Sequence, residues 1–330
     1  MRDIIVPPYM KVGGLRVYYQ PEVDFFLYEG KPAREVEVDV LEGKYEAPSE
    51  DVRKAKNKKI KEMEKRAKEM GQNFFLGKMW SKRYVFKKPG RRLNLGLQEC
   101  DYGDYISTNR SLDDPDVWGM VKKYGWGSLA NILGTNNTIV TSDGYVLLGK
   151  RSESVDSYQG CFGVVGAGSA NPKKHGTDVI KTILSEVNEE SGIPEDSIKE
   201  IEIWGIGAGL YEMHRKLVSN VYVDLNIKEV ENYLRDARDR WEHKEIYLVE
   251  FKDLPYFLAK TKTEIPQWAP KRVLGDFEPS KTVDWADGSF YSVFIQVANY
   301  LGDKELAEKK LLEQQHTSKK PTNVRVLMKA

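Results

Sequence analysis

Three glutamates carry the strongest chemical signal in this chain. Glu186, Glu189 and Glu190 lie at i, i+3 and i+4 in Ser185-Glu186-Val187-Asn188-Glu189-Glu190-Ser191-Gly192-Ile193. On a helix this spacing puts all three carboxylates on one side, where they repel one another unless a cation intervenes. Such oxygen donors suit a hard divalent ion, Mg²⁺ or Mn²⁺. That ion in turn suits a phosphate substrate, whose oxygens it neutralises. An amphipathic helix with a solvated acidic face has the same spacing, so spacing alone leaves both readings open.

The elements around the glutamates must position them. The pattern predicts a helix from about Thr177 to Ser191, ended by Gly192 in the C′ manner. At roughly 100° per residue, Val179, Ile180, Ile183, Leu184 and Val187 cover one arc, and the glutamates cover the next. The apolar arc would dock on a sheet and leave the carboxylates at the rim of a cleft. A glycine-dense run, Gly160 to Gly168, precedes the helix. Upstream, Asp143-Gly144 between two apolar runs predicts a hairpin. Strands are expected at Ile201–Ile206, Leu217–Leu225 and Ile246–Phe251, and helices at Ile227–Asp239 and Tyr291–Leu301. Beyond Gly302 the chain reads as a charged helical tail that turns polar.

The first part of the chain reads differently. Leu15 to Tyr19 and Val36 to Val40 alternate as strands. Ser49 is a candidate N-cap for a long charged helix reaching about Met70. Its lysine excess reads first as a solvated face and second as a nucleic-acid surface. Arg83–Phe86 and Arg92–Leu95 flank a turn at Lys88-Pro89-Gly90. Tyr102 to Asn109 is expected to be a polar and aromatic loop. The resulting division is an N-terminal α+β domain at residues 1–130, a second domain at 131–301 and a charged tail at 302–330.

Composition narrows the class. The chain has 330 residues, 40% hydrophobic, with 51 Lys+Arg against 50 Asp+Glu. That is enough for about two domains with a real core, and it gives no global pull toward nucleic acid. Pro7 and Pro8 break the opening segment where a signal peptide needs an unbroken apolar run, and no run is long enough for a membrane span. The two cysteines, Cys100 and Cys161, form no metal or redox pair. The expectation is a soluble cytoplasmic protein acting on a small molecule, with nothing in the sequence to set its oligomeric state. The histidines, His175, His214, His243 and His316, show no metal-ligand spacing, and Gly205-x-Gly207-x-Gly209 lacks the helix a dinucleotide motif needs.

A hairpin, a glycine-rich strand end, an acidic helix closed by Gly-Ile and further strands resemble the Nudix hydrolase family. Its signature is G-x5-E-x7-R-E-U-x-E-E-x-G-U, with U a bulky aliphatic residue. Glu186, Val187, Glu189, Glu190, Gly192 and Ile193 match it. Asn171, Thr177 and Ser185 depart from it, at its glycine, first glutamate and arginine. The resemblance implies an α/β/α sandwich with a mixed sheet, and Mg²⁺ held on a diphosphate by the helix glutamates. The family arginine helps orient those glutamates, so Ser185 implies another cation in its place, a weaker site or a dead one.

A second resemblance covers more of the chain. Leu95-Gly96-Leu97 with Tyr102-Gly103-Asp104-Tyr105-Ile106-Ser107-Thr108-Asn109 is similar to the "LGL…Y-x-D-[YF]-x-x-TN" block of the UDP-sugar hydrolase branch. That branch carries an extra N-terminal domain and tolerates an uncharged residue at the arginine position. It also places a glutamate four residues before an isoleucine, as Glu242 stands before Ile246. The resemblance implies hydrolysis of UDP-glucose or UDP-galactose to UMP and a sugar 1-phosphate. Glu186, Glu189 and Glu190 would hold metal, and Glu186, Glu190 and Glu242 would be the catalytic carboxylates. Tyr102 and Tyr105 could stack on uracil, with Asp104, Thr108 or Asn109 bonding its edge or the ribose. Alternatively, this block caps a turn between domains. Arg151, Lys173 or Lys174 could neutralise phosphate. Open alternatives are ADP-ribose, a dinucleotide or a capped RNA end as substrate, and a Nudix-fold module that binds nucleotide or RNA without cleaving it.

Overall fold

The computed structural model describes residues 9–12, 15–18, 25–26, 32–69, 76–155, 158–208, 213–260, 287–302, 304–315 and 324–329. The first part holds β1 (Tyr9–Val12), β2 (Leu15–Tyr18), β3 (Phe25–Phe26), β4 (Glu35–Lys44), α1 (Glu50–Glu69), β5 (Lys78–Lys88), β6 (Arg92–Asp101), α2 (Tyr102–Ser107) and α3 (Pro115–Tyr124). There follow β7 (Leu133–Val140), β8 (Tyr145–Arg151), β9 (Phe162–Val164), β10 (Ala167–Ser169), α4 (Pro172–His175) and α5 (Val179–Ser191). Then come β11 (Ile198–Ala208), β12 (Arg215–Val223), α6 (Ile227–Arg235), β13 (His243–Glu250) and α7 (Leu254–Lys260). Helices Asp287–Leu301 and Lys304–Gln315 and strand β14 (Val324–Lys329) complete the described elements.

The fold is α/β with a mixed sheet. Its main sheet runs β1-β2-β11-β12-β7-β8-β13-β14. The β7–β12 pair is parallel, from Leu133↔Arg215 to Val140↔Tyr222, and its neighbours are antiparallel. Side chains alternate between the two faces, as the strand period of two requires. Leu147 and Ile246 join α5 and α6 through Val179, Ile183, Val187 and Leu234. Val146 and Leu148 pack instead with Leu254, Phe257, Phe294 and Val297 on the other side. Helices therefore cover both faces of the sheet.

A smaller sheet, β4-β6-β5, lies beside it. Leu93, Leu95 and Leu97 of β6 share one buried cluster with Leu133 and Ile183. The expected divisions at 130 and 302 are both crossed by the main sheet. β2 and β3 pair with β11, and β14 pairs with β13 where the sequence suggested a polar tail.

Several expected elements shift. The segment at 102–107 is a helix, where a loop was expected. Asp101 and Asp104 form a capping box, each accepting a hydrogen bond from the other's backbone N–H. Such a reciprocal cap satisfies two donors that the first helical turn leaves open. Helix α6 stops at Arg235, short of the expected Asp239. The expected strand from Leu15 is β2 as far as Tyr18, and Tyr19 and Met70 lie outside the described residues. Cys100 and Cys161 are buried and free. Among the described residues no helix is long and apolar enough to cross a membrane.

Candidate functional site

The site forms where the main sheet forks. β7 and β8 pair at Val140↔Val146 and then separate, so that β10 pairs with β7 and β9 with β8. The link between β9 and β10 crosses the fork, and its backbone N–H groups need an acceptor. Glu190 of α5 supplies it. Its Oε2 accepts from Gly166 N–H at 2.8 Å and its Oε1 from Ala167 N–H at 3.0 Å. His243 Nε2 lies 2.7 Å from the same Oε2. Glu190 is 1% exposed and His243 3%. With Glu190 ionised the carboxylate can only accept, which places the proton on Nε2 of His243.

The glycine-dense run has a steric purpose. Gly166 has φ of +92°, and a Cβ there would stand 3.2 Å from the Cα of Val187. Helix α5 thus approaches the β9–β10 link more closely than a side chain allows. At Gly168 a Cβ would lie 2.1 Å from Glu186 Oε2, so the Glu186 carboxylate occupies the space that side chain would take.

The carboxylates divide into two environments. Glu186 is half-buried, and burial first, then the charge of Glu190, pushes its carboxyl up to about 8. Glu242 lies in the short 3₁₀ turn Arg240–Glu242 that leads into β13. Burial and Glu190 push it up to about 7, against the pull of Arg151 at 3.6 Å. Glu186, Glu190 and Glu242 therefore repel one another across one small space. Glu189, one helical step round, is instead matched by cations. Lys174 and Arg238 both form ion pairs with its carboxylate, and Ser185 Oγ donates to Oε1 at 2.5 Å. The two cations come from α4 and from the segment that follows α6.

The segment between α6 and β13 is docked onto α5. Asp239 N–H donates to the Glu189 carbonyl at 2.8 Å, and Glu242 N–H donates to the Asp239 carbonyl at 3.0 Å. Arg151 pairs across strands with His243. The fork thus gathers α5, the start of β13 and the end of β8 from three distant stretches of sequence.

No protein-family model and no curated protein matches the chain. Solved structures similar to it include the DR0079 protein of Deinococcus radiodurans, at 13% identity and a TM-score of 0.29, covering 38% of this chain and 72% of that one. They also include a MutT protein from Methanosarcina mazei, at 19% identity and a TM-score of 0.24, covering 37% of this chain and 78% of that one.

The donor chemistry at the fork suits a hard cation. The groups are carboxylate oxygens, and their mutual repulsion is what a divalent ion relieves. Glu186 and Glu242 have oxygens to offer, and Glu190 has spare capacity at Oε1. Among the described residues no three His, Cys, Asp or Glu side chains already stand in metal-binding geometry.

The Tyr102–Asn109 block packs against the segments that lead into β7 and β12. Asp104 pairs with Lys56 at 2.7 Å. Thr108 Oγ1 donates to the Asp104 carbonyl at 2.6 Å and accepts from Ala130 N–H at 3.2 Å. Asn109 accepts from Asn131 N–H at 3.0 Å and donates to the Met213 carbonyl at 3.1 Å. Tyr105 is buried, with its ring 5.6 Å from Tyr102 and 5.7 Å from His214. These contacts tie α2 to the starts of β7 and β12. Of the expected substrate-binding set, Arg151 forms an ion pair with Glu242 at 3.6 Å.

Sequence reasoning did not single out His243 or Arg238. His243 meets a partner 53 residues away, a separation that leaves no local spacing to detect. Arg238 lies in Arg235-Asp236-Ala237-Arg238-Asp239-Arg240, whose charge density looks like a solvated turn.

Proposed function

We propose that this chain is a divalent-metal-dependent pyrophosphohydrolase of the Nudix type. Its substrate would be a nucleoside diphosphate linked to a second group, in the first instance a UDP-sugar cleaved to UMP and a sugar 1-phosphate. The observation that carries this reading is the convergence of Glu186, Glu190 and Glu242, where burial and mutual repulsion push Glu186 and Glu242 up despite Lys174 and Arg151. Glu186 and Glu190 are the groups that would hold Mg²⁺ or Mn²⁺, with Glu242 beside them to act on the water. A bound ion would neutralise diphosphate oxygens and make a coordinated water more acidic.

The protein's own groups would do the rest. Glu242 would take the proton from the attacking water. The water oxygen bonds to one phosphorus, the bridging P–O bond breaks, and the second phosphate leaves with the bridging oxygen. Arg151, 3.6 Å from Glu242, would meet negative charge on the phosphates. Glu190, held by two backbone donors and His243, fixes α5 against the β9–β10 link. Lys174 and Arg238 hold Glu189 and with it the turn that carries Glu242.

The test is incubation of the full-length protein with a panel of nucleotide sugars, ADP-ribose and a dinucleoside polyphosphate, with and without Mg²⁺. Mononucleotide release is followed. Metal-dependent release that Glu186→Gln reduces at least a hundredfold supports the proposal. Nucleotide binding with no turnover of any panel member would replace it with a non-catalytic binding module.

A further inference from the structure

Trp241 is the inference this fold supports beyond its carboxylates. It is 55% exposed, more than any other tryptophan among the described residues. It stands between Arg240 and Glu242 in the same 3₁₀ turn, one residue from a carboxyl that faces the fork. An indole left open there forfeits the burial that makes tryptophan favourable in a core.

The ring is also held in place. Its Nε1–H donates to Asp239 Oδ1 at 3.3 Å, while Arg238 donates to Asp239 Oδ2 at 2.8 Å. Asp239 N–H is itself anchored on the Glu189 carbonyl. Among the described residues no ring or cation covers the indole face. The polar edge is therefore occupied and the π face is presented to solvent.

We propose that Trp241 is the stacking platform for the nucleobase of the substrate. This rests on the nucleotide reading of the site given above. A sugar on this ring would need hydrogen-bonding groups for its hydroxyls. The indole's one hydrogen-bonding group, Nε1–H, is already given to Asp239, and Arg238 beside it is paired with Glu189 and Asp239. A flat base needs only the π face, and every base has one. The platform therefore adds affinity without choosing among bases.

Isothermal titration of the full-length protein tests this without turnover. The probes are the α,β-methylene diphosphates of uridine and adenosine, methylenediphosphonate without a base, and glucose 1-phosphate. Trp241→Ala should weaken both nucleotides about tenfold and leave methylenediphosphonate unchanged, and Trp241→Phe should keep most of the nucleotide affinity. Equal nucleotide affinity in wild type and Trp241→Ala overturns the proposal, as does an equal loss for methylenediphosphonate. A loss confined to glucose 1-phosphate overturns it in favour of a sugar platform, and absence of nucleotide binding by the wild type overturns it outright. A Trp241-dependent affinity in a protein that cleaves no nucleotide sugar would sustain it while removing the hydrolase reading.

Discussion

His243 Nε2 and Glu190 Oε2 meet at 2.7 Å in the interior, each side chain closed to solvent, at the point where the central sheet forks. The pair joins the start of β13 to the end of α5. Burial first, then the Glu190 charge, raises Glu186 and Glu242.

Removing the histidine should therefore be costly. His243→Leu keeps the volume roughly but leaves a buried carboxylate with two donors in place of three. The expected loss is about 3 kcal/mol of unfolding free energy in urea titration, as for other broken buried pairs. His243→Gln, which can still donate, should lose clearly less. Equal stability of His243→Leu and wild type would show that Glu190 needs no third donor.

The acidic cluster makes stability depend on pH in a direction opposite to most carboxylates. Glu186 rises from 4.5 to about 8 in the folded chain, and Glu242 from 4.5 to about 7. Between those limits the folded state binds more protons than the unfolded state, so stability falls as pH rises. The melting temperature of metal-free protein should drop from about pH 5 to about pH 8. Glu186→Gln should flatten that fall. Millimolar Mg²⁺ should raise the melting temperature most at the upper end, and chelation should reverse the gain. A melting temperature that climbs steadily over this range in metal-free buffer would contradict the arrangement.

Much of this was legible before the fold was known. The helix, its glycine stop and the alternation of apolar and polar arcs are local properties. Gly192 indeed sits at φ of +74°, with its N–H on the Asn188 carbonyl at 2.7 Å. What spacing could not resolve was the division among the glutamates. Residues at i+3 and i+4 stand about 100° apart on a helix, enough to give Glu189 and Glu190 different neighbours. Those neighbours, Lys174 and Arg238 for one and His243 for the other, come from remote stretches. The helix at 102–107 was legible in principle, since Asp101 and Asp104 stand in capping-box spacing. Its aromatic residues drew the reading toward a binding loop.

Two glycines separate fold from site. At Gly166 both a positive φ and the backbone of Val187 oppose a side chain. Gly166→Ala should cost about 1–3 kcal/mol. At Gly168 the obstacle is the end of a flexible glutamate. Gly168→Ala should change stability by less than about 1 kcal/mol, because the Glu186 carboxylate can swing away. Mg²⁺ affinity, read by calorimetry, should then fall at least tenfold. Unchanged metal binding in a well-folded Gly168→Ala protein would place the ion away from Glu186.

Glu189 offers the sharpest separation of pairwise from collective effects. Its carboxylate is 10% exposed, while the Arg238 side chain that reaches it is 64% exposed. An exposed cation loses much of its attraction to solvent screening, so Arg238→Ala or Lys174→Ala alone should cost at most about 1 kcal/mol. The pair removed together leaves Glu189 with only the Ser185 hydroxyl. The double variant should therefore lose more than the sum of the single losses, a coupling that a double-mutant cycle in urea reads directly. Ser185→Arg in that double variant puts a cation one helical turn from Glu189 and should recover most of the loss. Strict additivity, or no recovery by Ser185→Arg, would mean that Glu189 is kept by its backbone tie to Asp239 and not by its charge.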